Sequence, residues 1–327
     1  MSKMQAVEIQ GSGDSATLAL CERPMPEIKP HEVLIKTAYA GLNRADIFQR
    51  QGSYAPPDGA SDIPGLEVSG TIEAVGADVT SWSIGDEVCA LLSGGGYAQY
   101  VTVPAIHCLP IPSNLGLKEA AGLPECVVTV WMTLMDDARL QPNESVLIHG
   151  GSSGIGTTAI QFAIAYGCQN IFNTAGSTEK CSACSDLGAQ AINYREQDFV
   201  EVVKSAGGVD VVLDMVGGEY INRNLKVLKT DGRLISIAFL QGAKMDVSAG
   251  GLLMKRLSWK GSALRARSDE QKGEYISQIR QTVWPWVESG QISPLIDSVF
   301  PMDQAMQAQE RMEKSLHIGK ILLQIHA

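Results

Sequence analysis

The segment SVLIHGGSSGIGTTAIQFA, from Ser145 to Ala163, holds the residues whose types and spacing point most directly to chemistry. An apolar run delivers the backbone to Gly150, Gly151, Gly154 and Gly156, and a helix-forming stretch begins beside the last two. Glycine permits a tight turn and close approach of an anion to backbone amides. The first turn of a helix adds unpaired N–H groups at the positive end of its dipole. Gly151, Ser152, Ser153, Gly154, Ile155 and Gly156 are therefore expected to cradle a pyrophosphate, with Gly156 also letting helix and strand pack closely. A glycine cluster by itself could be a flexible connector; its setting between a strand and a helix in a βαβ series is what favours a dinucleotide.

The end of the second strand, about 20 residues beyond such a turn, meets the adenosine ribose, and a carboxylate there selects the free ribose hydroxyls. This chain instead reads FNTAGSTEK, uncharged from Thr174 to Thr178. Ser177 can donate a hydrogen bond and Lys180 a positive charge to a 2′-phosphate, and Tyr194 with Arg195 at the end of the next strand could close that pocket. NADP(H) is the expected coenzyme. The plainer alternative makes Lys180 and Arg195 solvated surface charges.

Other reactive side chains suggest less. Seven cysteines are an odd number scattered through a large chain, so they are read as reduced thiols. Cys181 and Cys184 form a CxxC inside EKCSACSDLGA, a helical pattern with no second CxxC or His pair, which favours packing over redox or metal chemistry. Five histidines, His149 beside the glycine turn among them, invite a catalytic reading and mostly do not support it. No GxSxG elbow follows a strand, so a Ser/His/Asp hydrolase has no support.

The elements needed to position these groups fall into two regimes. From about Val33 to Leu109, short β-branched runs broken by glycine and proline suit a small, irregular, largely antiparallel barrel. From about Gly122 to Leu264, strand-like and helix-like segments alternate: SVLIHG, NIFNTA, QAINY, VDVVLDMV and RLISIAF each follow or precede an amphipathic helix. That order implies a Rossmann-type, doubly wound parallel sheet, complete after RLISIAF. Beyond Arg265, a helical stretch interrupted at Pro285 and a final strand, helix and strand are assigned back to the first domain. The expected boundaries are 1–123, 124–265 and 266–327.

Bulk properties agree with a folded chain of two domains, since 327 residues exceed the roughly 250–300 at which one core stops growing. A net charge of −10 with no basic stripe argues against nucleic acid and anionic membranes as partners. The N-terminus lacks a signal-peptide core, and no apolar run approaches the roughly 18 residues of a membrane span, so the cytoplasm is expected.

Taken together, AGLNRADIFQRQGSYAPPDGASDIPGLEVSGTIEAVG, GDEVCALLSGGGYAQY, HGGSSGIG, GSTEK, NYR and HIGKILLQI resemble the medium-chain dehydrogenase/reductase superfamily, and within it the zeta-crystallin-like NADPH:quinone oxidoreductases. The resemblance runs through the whole chain in order. It implies a GroES-like catalytic domain of irregular β-barrel type around the inserted Rossmann domain. Zinc-dependent members use a Cys and a Gly-His-Glu motif; here those Cys and His positions read Asn43 and Leu66, and no cysteine cluster stands near Gly94. The resemblance therefore implies no zinc.

Without such a Lewis acid, an alcohol has nothing to hold its alkoxide, whereas an electron-poor quinone or enone mainly requires positioning. By the same resemblance, Asn43 and Tyr54 line the nicotinamide and substrate site, with Tyr54 able to pass on a proton, though Tyr54 could instead cap a proline-rich loop. Asn43, Thr129, Phe239, Leu240, Leu264 and Arg265 match cofactor-contacting positions. Thr129 could also be a buried helix hydroxyl, and Arg265 part of a hinge salt bridge. The implied activity is NADPH-dependent quinone reduction, by hydride or one-electron steps. Reduction of an α,β-unsaturated carbonyl or enoyl thioester is the alternative within enzymology, and an NADPH-binding protein of little turnover is the alternative outside it. A homodimer is implied.

Overall fold

The computed structural model describes residues 2–326, which divide into two compact units. Unit 1 extends to Val128 and resumes over Arg265–Gly290 and from Pro294 onward; unit 2 is Thr129–Leu264 with Gln291–Ser293.

Along the first segment run β1 (Lys3–Gln10), β2 (Thr17–Pro24), β3 (Glu32–Gly41), α1 (Arg44–Arg50), β4 (Glu67–Val75), β5 (Glu87–Leu91), β6 (Tyr100–Pro104), β7 (Cys108–Pro110), α2 (Leu117–Ala120) and α3 (Pro124–Trp131), and the unit boundary falls inside α3. Unit 2 continues with β8 (Val146–His149), α4 (Gly154–Tyr166), β9 (Ile171–Ala175), α5 (Thr178–Asp186), β10 (Gln190–Asn193), α6 (Phe199–Ser205), β11 (Val209–Asp214), α7 (Tyr220–Val227), β12 (Leu228–Ser236), α8 (Gly250–Met254) and β13 (Ser258–Gly261). The return segment holds α9 (Asp269–Thr282), α10 (Trp284–Glu288), β14 (Ile296–Pro301), α11 (Ala305–Glu313) and β15 (Lys320–Gln324).

In unit 1, β15 pairs antiparallel with β3, placing Leu322 opposite Gly41, so the end of the chain is built into the first segment. The sheet runs β14-β15-β3-β4-β5-β7 with β6 also on β3. Its outer strands β14 and β7 do not pair with each other, so among the described residues the expected barrel is an open sheet. Val33, Ile35, Val68, Ile72, Val88 and Ala90 fill its core together with Met302, Ala305 and Ala308 from the return segment. The β1–β2 hairpin lies ahead of the region read as strands from the sequence; Met4, Ala6 and Val7 join the same core.

In unit 2 every strand pairing is parallel, in the order β10-β9-β8-β11-β12-β13. Helices cover such a sheet on both faces, and β8 and β9 are accordingly buried along their whole length. Strand order turns back beside β8, and the crevice outside the carboxyl ends at such a point is where α/β sheets receive ligands. Two expectations need correction. The strand read as RLISIAF ends at Ser236, and the sheet is not complete there, because β13 adds a sixth strand. Its short SWKG lies at an edge and carries no run of apolar residues by which to recognise it. Gln291–Ser293 belongs with unit 2 because Gln161 hydrogen-bonds both the Ser293 carbonyl (3.0 Å) and its N–H (2.9 Å).

Candidate functional site: a glycine turn and a buried polar cluster

In unit 2, β8 runs into Gly150, whose φ of +67° suits glycine, and the chain then enters α4. A Cβ on Gly151 would strike the Asn173 amide of neighbouring β9, and one on Gly156 would strike the backbone of Gly150 and Gly151. The turn is thus packed backbone to backbone. Ser153 caps α4, its Oγ accepting from the Gly156 N–H at 3.0 Å, while Ser152 and Gly154 are buried beside it. The N–H groups of the first helical turn have no carbonyl within the helix to bind, the property by which helix starts hold phosphates. His149, immediately before the turn, is wholly buried between Thr174 Oγ1 (2.8 Å) and Asn224 Oδ1 (2.7 Å). Burial pushes its pKa down to about 4, which keeps it neutral as part of the strand packing.

The adenosine end follows from the next two strands. Ser177 caps α5 by accepting from the Lys180 N–H (3.3 Å), leaving its hydroxyl proton free to donate. Tyr194 follows β10, its N–H bonded to the Ala175 carbonyl at 3.1 Å, and its phenol lies against Gly176, where any Cβ would collide with it. Ser177, Lys180 and Tyr194 are therefore brought together at the carboxyl ends of β9 and β10, and Tyr194 is 46% exposed. A hydroxyl, an ammonium and a phenol at this place suit a phosphate on the ribose, so the residues fit a phosphorylated dinucleotide. Phe239 and Leu240 sit after β12 against the Met215–Gly218 loop, with the Leu240 N–H donating to the Met215 carbonyl (3.2 Å). Thr129, buried in α3, has its carbonyl taken by the Thr133 hydroxyl at 2.7 Å, and Leu264 is buried at the end of the unit.

The remaining candidates lie in unit 1. Arg265 spends its guanidinium on neutral acceptors: the Ser93 carbonyl (2.8 and 3.0 Å), Gln49 Oε1 (2.8 Å) and the Tyr54 carbonyl (3.3 Å). It also lies 5.4 Å from the Tyr54 ring centre. Among the described residues Arg265 makes these contacts to neutral groups, and it braces the half-buried Tyr54. Burial, and then the Glu125 carboxyl, raise the Tyr54 phenol above its usual pKa, so Tyr54 keeps its proton.

Asn43 is at the start of α1, 8% exposed, and sits in a cluster the sequence did not reveal. Its Nδ2 donates to Glu67 Oε1 at 3.0 Å, and its Oδ1 accepts from Lys320 Nζ at 2.9 Å. Lys320 also donates to the Leu42 carbonyl (2.7 Å) and pairs with Glu67 Oε1 at 2.6 Å. Glu67 Oε2 takes the Glu125 N–H at the start of α3 (2.9 Å). Gly41 makes room, since a Cβ there would run into the Glu67 carboxylate. Below it, Asp46 accepts from the Asn43 N–H (2.8 Å), the Tyr97 hydroxyl (2.9 Å) and the Gly65 N–H (3.2 Å).

Burial works against the Lys320 ammonium, but the Glu67 carboxylate outweighs it and holds the pKa above the usual lysine range. Burial lifts Asp46 to about 6, and burial with the Glu67 charge lifts Glu125 to about 8. At neutral pH Lys320 therefore keeps its ammonium and Glu125 its proton.

Comparison with known proteins decides the family. Residues 29–113 match the alcohol dehydrogenase GroES-like domain, and residues 187–323 match the zinc-binding dehydrogenase domain. The quinone oxidoreductase of Rattus norvegicus is 31% identical over 98% of this chain and 97% of its own length. The chain belongs to the medium-chain dehydrogenase/reductase superfamily, in its quinone oxidoreductase branch.

A VAT-1 homolog from Danio rerio, a synaptic vesicle membrane protein, is 34% identical over 91% of the chain, which spans 65% of that relative's length. Escherichia coli quinone oxidoreductase, solved with NADPH, superimposes with a TM-score of 0.87 at 26% identity, covering 99% of this chain and 100% of that one. As a member of this superfamily the chain is an oxidoreductase. Its domain descriptions name zinc, yet the residues do not fit that ion. Leu66 is apolar and buried, Asn43 offers an amide, and the Lys320 ammonium already sits on the oxygens of Asn43 and Glu67. Among the described residues, no group of three or more His, Cys, Asp or Glu is gathered for a metal. Sequence reasoning passed over Glu67, Asp46, Glu125 and Lys320. The one available signal was a lysine opening the strand KILLQ just ahead of its apolar Ile-Leu-Leu core.

Proposed function

We propose that this oxidoreductase is a zinc-independent, NADPH-dependent reductase of quinones and similar electron-poor carbonyls. The observation that carries the reading is the Lys320 ammonium at 2.6 Å from Glu67, where a Lewis-acidic metal would otherwise act. A quinone accepts hydride given orientation and a hydrogen-bond donor, so it suits residues that offer no metal. The coenzyme, when bound, supplies the hydride. The Gly151–Gly156 backbone would hold its pyrophosphate, and Ser177, Lys180 and Tyr194 its 2′-phosphate; Phe239, Leu240, Thr129 and Leu264 would complete its contacts. Asn43 would donate a hydrogen bond to the acceptor carbonyl as negative charge grows there, and Tyr54, braced by Arg265, would hold the proton at its Oη for delivery to that oxygen. The NADPH held by the Escherichia coli enzyme supports the choice of coenzyme.

Two further readings belong with this one. A homodimer is proposed through the outer edge of β13, beside which Leu253 (79%) and Met254 (80%) of α8 are the most exposed large apolar side chains among the described residues. A reducing compartment such as the cytoplasm suits the seven free thiols. Among the described residues no helix is long and apolar enough to cross a membrane.

The test is steady-state oxidation of NADPH and NADH with 1,4-benzoquinone, 9,10-phenanthrenequinone and a 2-alkenal. NADPH oxidation by the quinones is expected. Preference for the alkenal would shift the substrate class, and tight NADPH binding with no oxidation by any acceptor would overturn the reading in favour of a binding protein.

A further inference from the structure

We propose that Lys320 is a positioning residue: its buried ammonium acts as the built-in cation of the unit 1 cluster and locks the Asn43 carboxamide so that its spare capacity is that of a hydrogen-bond donor. The inference rests on the reading of Asn43 as the group that meets the acceptor.

An ammonium has three N–H donors, and those of Lys320 meet three oxygens: the Leu42 carbonyl at 2.7 Å, Asn43 Oδ1 at 2.9 Å and Glu67 Oε1 at 2.6 Å. The cation is thus fully satisfied within the protein and has no donor left for a ligand. Its effect passes through Asn43. With Oδ1 on the ammonium and Nδ2 on the Glu67 carboxylate at 3.0 Å, each end of the amide faces its electrostatic complement. Rotating the amide by half a turn would set its NH2 against an NH3 group and its carbonyl against a carboxylate. Two repulsive contacts would replace two attractive ones in a site sealed from water, where such differences are weakly screened.

The locked amide has one lightly used group. The second hydrogen of Nδ2 has only the Gly41 carbonyl, at 3.4 Å, the longest of the bonds made by this amide. Oδ1 is committed to a full positive charge, and one Nδ2 hydrogen to a full negative charge. What remains for a ligand is a donor, polarised by the carboxylate and ammonium behind it. Such a group recognises a carbonyl oxygen, and more strongly the oxyanion it becomes on reduction; it does not recognise a hydroxyl presenting its proton. Glu67 is itself held for this task, its second oxygen taken by the Glu125 N–H at the start of α3 and its approach cleared by Gly41. A buried ion pair contributes little net stability compared with two apolar side chains, which makes orientation the better account of why a lysine stands there.

The competing explanation is that Lys320 does no more than neutralise Glu67. The double variant E67Q/K320M separates the two. It removes both charges together, so it is expected to fold where K320M alone leaves a buried carboxylate unpaired. The side-chain amide it introduces at position 67 can accept or donate, which frees the Asn43 amide to turn. If Lys320 positions Asn43, the double variant keeps its NADPH affinity within about twofold, and loses about tenfold or more in kcat for 1,4-benzoquinone with little change in KM. Adding N43A to it then costs almost nothing further. Parental kcat in the double variant, or an N43A loss as large there as in the parent, would overturn the proposal. Proton exchange of the Asn43 side-chain amide by 15N NMR gives a readout independent of turnover. Slow exchange in the parent and fast exchange in E67Q/K320M are expected, and fast exchange in the parent overturns the lock. A parent that reduces no acceptor, yet shows slow exchange, sinks the catalytic reading of Asn43 and leaves the lock standing.

Discussion

The glycine turn of unit 2 and the polar cluster of unit 1 are built in opposite ways. The turn is a run of neighbours, Gly151 to Gly156, that works by having few side-chain atoms, so that backbone amides at a helix start, apart from the Gly156 N–H capped by Ser153, are open to an anion. The cluster gathers Asn43, Asp46, Glu67, Glu125 and Lys320 from the start of α1, β4, α3 and β15, and works through polar side chains around one ion pair that must satisfy one another out of water. A site of the first kind is broken by adding atoms. A site of the second kind is broken by removing a charge, and it then fails as a whole.

The sharpest way to break the contrast is K320M. Stranding the Glu67 carboxylate at a buried position is expected to cost about 3–5 kcal/mol of stability, read from urea unfolding. A loss below about 1 kcal/mol would mean that the cluster tolerates an unpaired charge, and the contrast would collapse. Next comes G156V, which adds atoms where a Cβ already meets the Gly150 and Gly151 backbone; coenzyme affinity is expected to fall about 100-fold, or about 2.7 kcal/mol. Calorimetry with NADPH checks it, and undiminished binding would show that the close backbone packing is not what holds the ligand.

A smaller effect sharpens the comparison inside unit 2. Removing the side chains of Ser177 and Lys180 together should weaken NADPH binding about 10- to 100-fold while leaving NADH binding nearly unchanged, as expected for charge-assisted hydrogen bonds to one phosphate. Equal losses for both coenzymes would assign these residues to the fold of α5 instead.

A last effect concerns Glu125 and appears only against pH. Its carboxyl ionises near its ordinary 4.5 when unfolded and keeps its proton to about 8 when folded. Between those values the folded chain binds one proton more than the unfolded chain, so this group makes stability fall as pH rises. E125Q holds a neutral side chain in both states. It should flatten the decline, with the variant gaining on the parent from pH 4.5 to 8 and the two running parallel above that. Melting temperatures across this range that fall with the same slope in parent and variant would reject the assignment.

This difference in construction also explains what could be read from the sequence. A backbone-made site is local, so GGSSGIG with an apolar strand before it and a helix after it announces both the turn and the sheet around it. Ser177, Lys180 and Tyr194 were accessible because each follows shortly after a strand whose end is legible. The unit 1 cluster joins residues up to 277 positions apart, as Asn43 and Lys320 are, and no short pattern encodes which of many glutamates a buried lysine will meet. Asn43 itself came through family resemblance, which identified the position and not the partners. The edge strand β13 and the β1–β2 hairpin were missed for another reason: SWKG is too short and polar to carry periodicity, and the half-exposed hairpin strands alternate only imperfectly.

The pairing of β15 with β3 has a consequence for synthesis. A ribosome makes the chain from its N-terminus at roughly 5–20 residues per second, so β3, α1 and β4 emerge long before β15. All of unit 2 up to Leu264 can close upon itself in the interval, while Glu67 waits without its counter-charge and the edge of β3 waits without its neighbour. A nascent chain arrested before Lys320 would therefore carry a finished nucleotide-type domain and an unfinished companion, with an open strand edge and a stranded carboxylate as the marks by which quality control could recognise it.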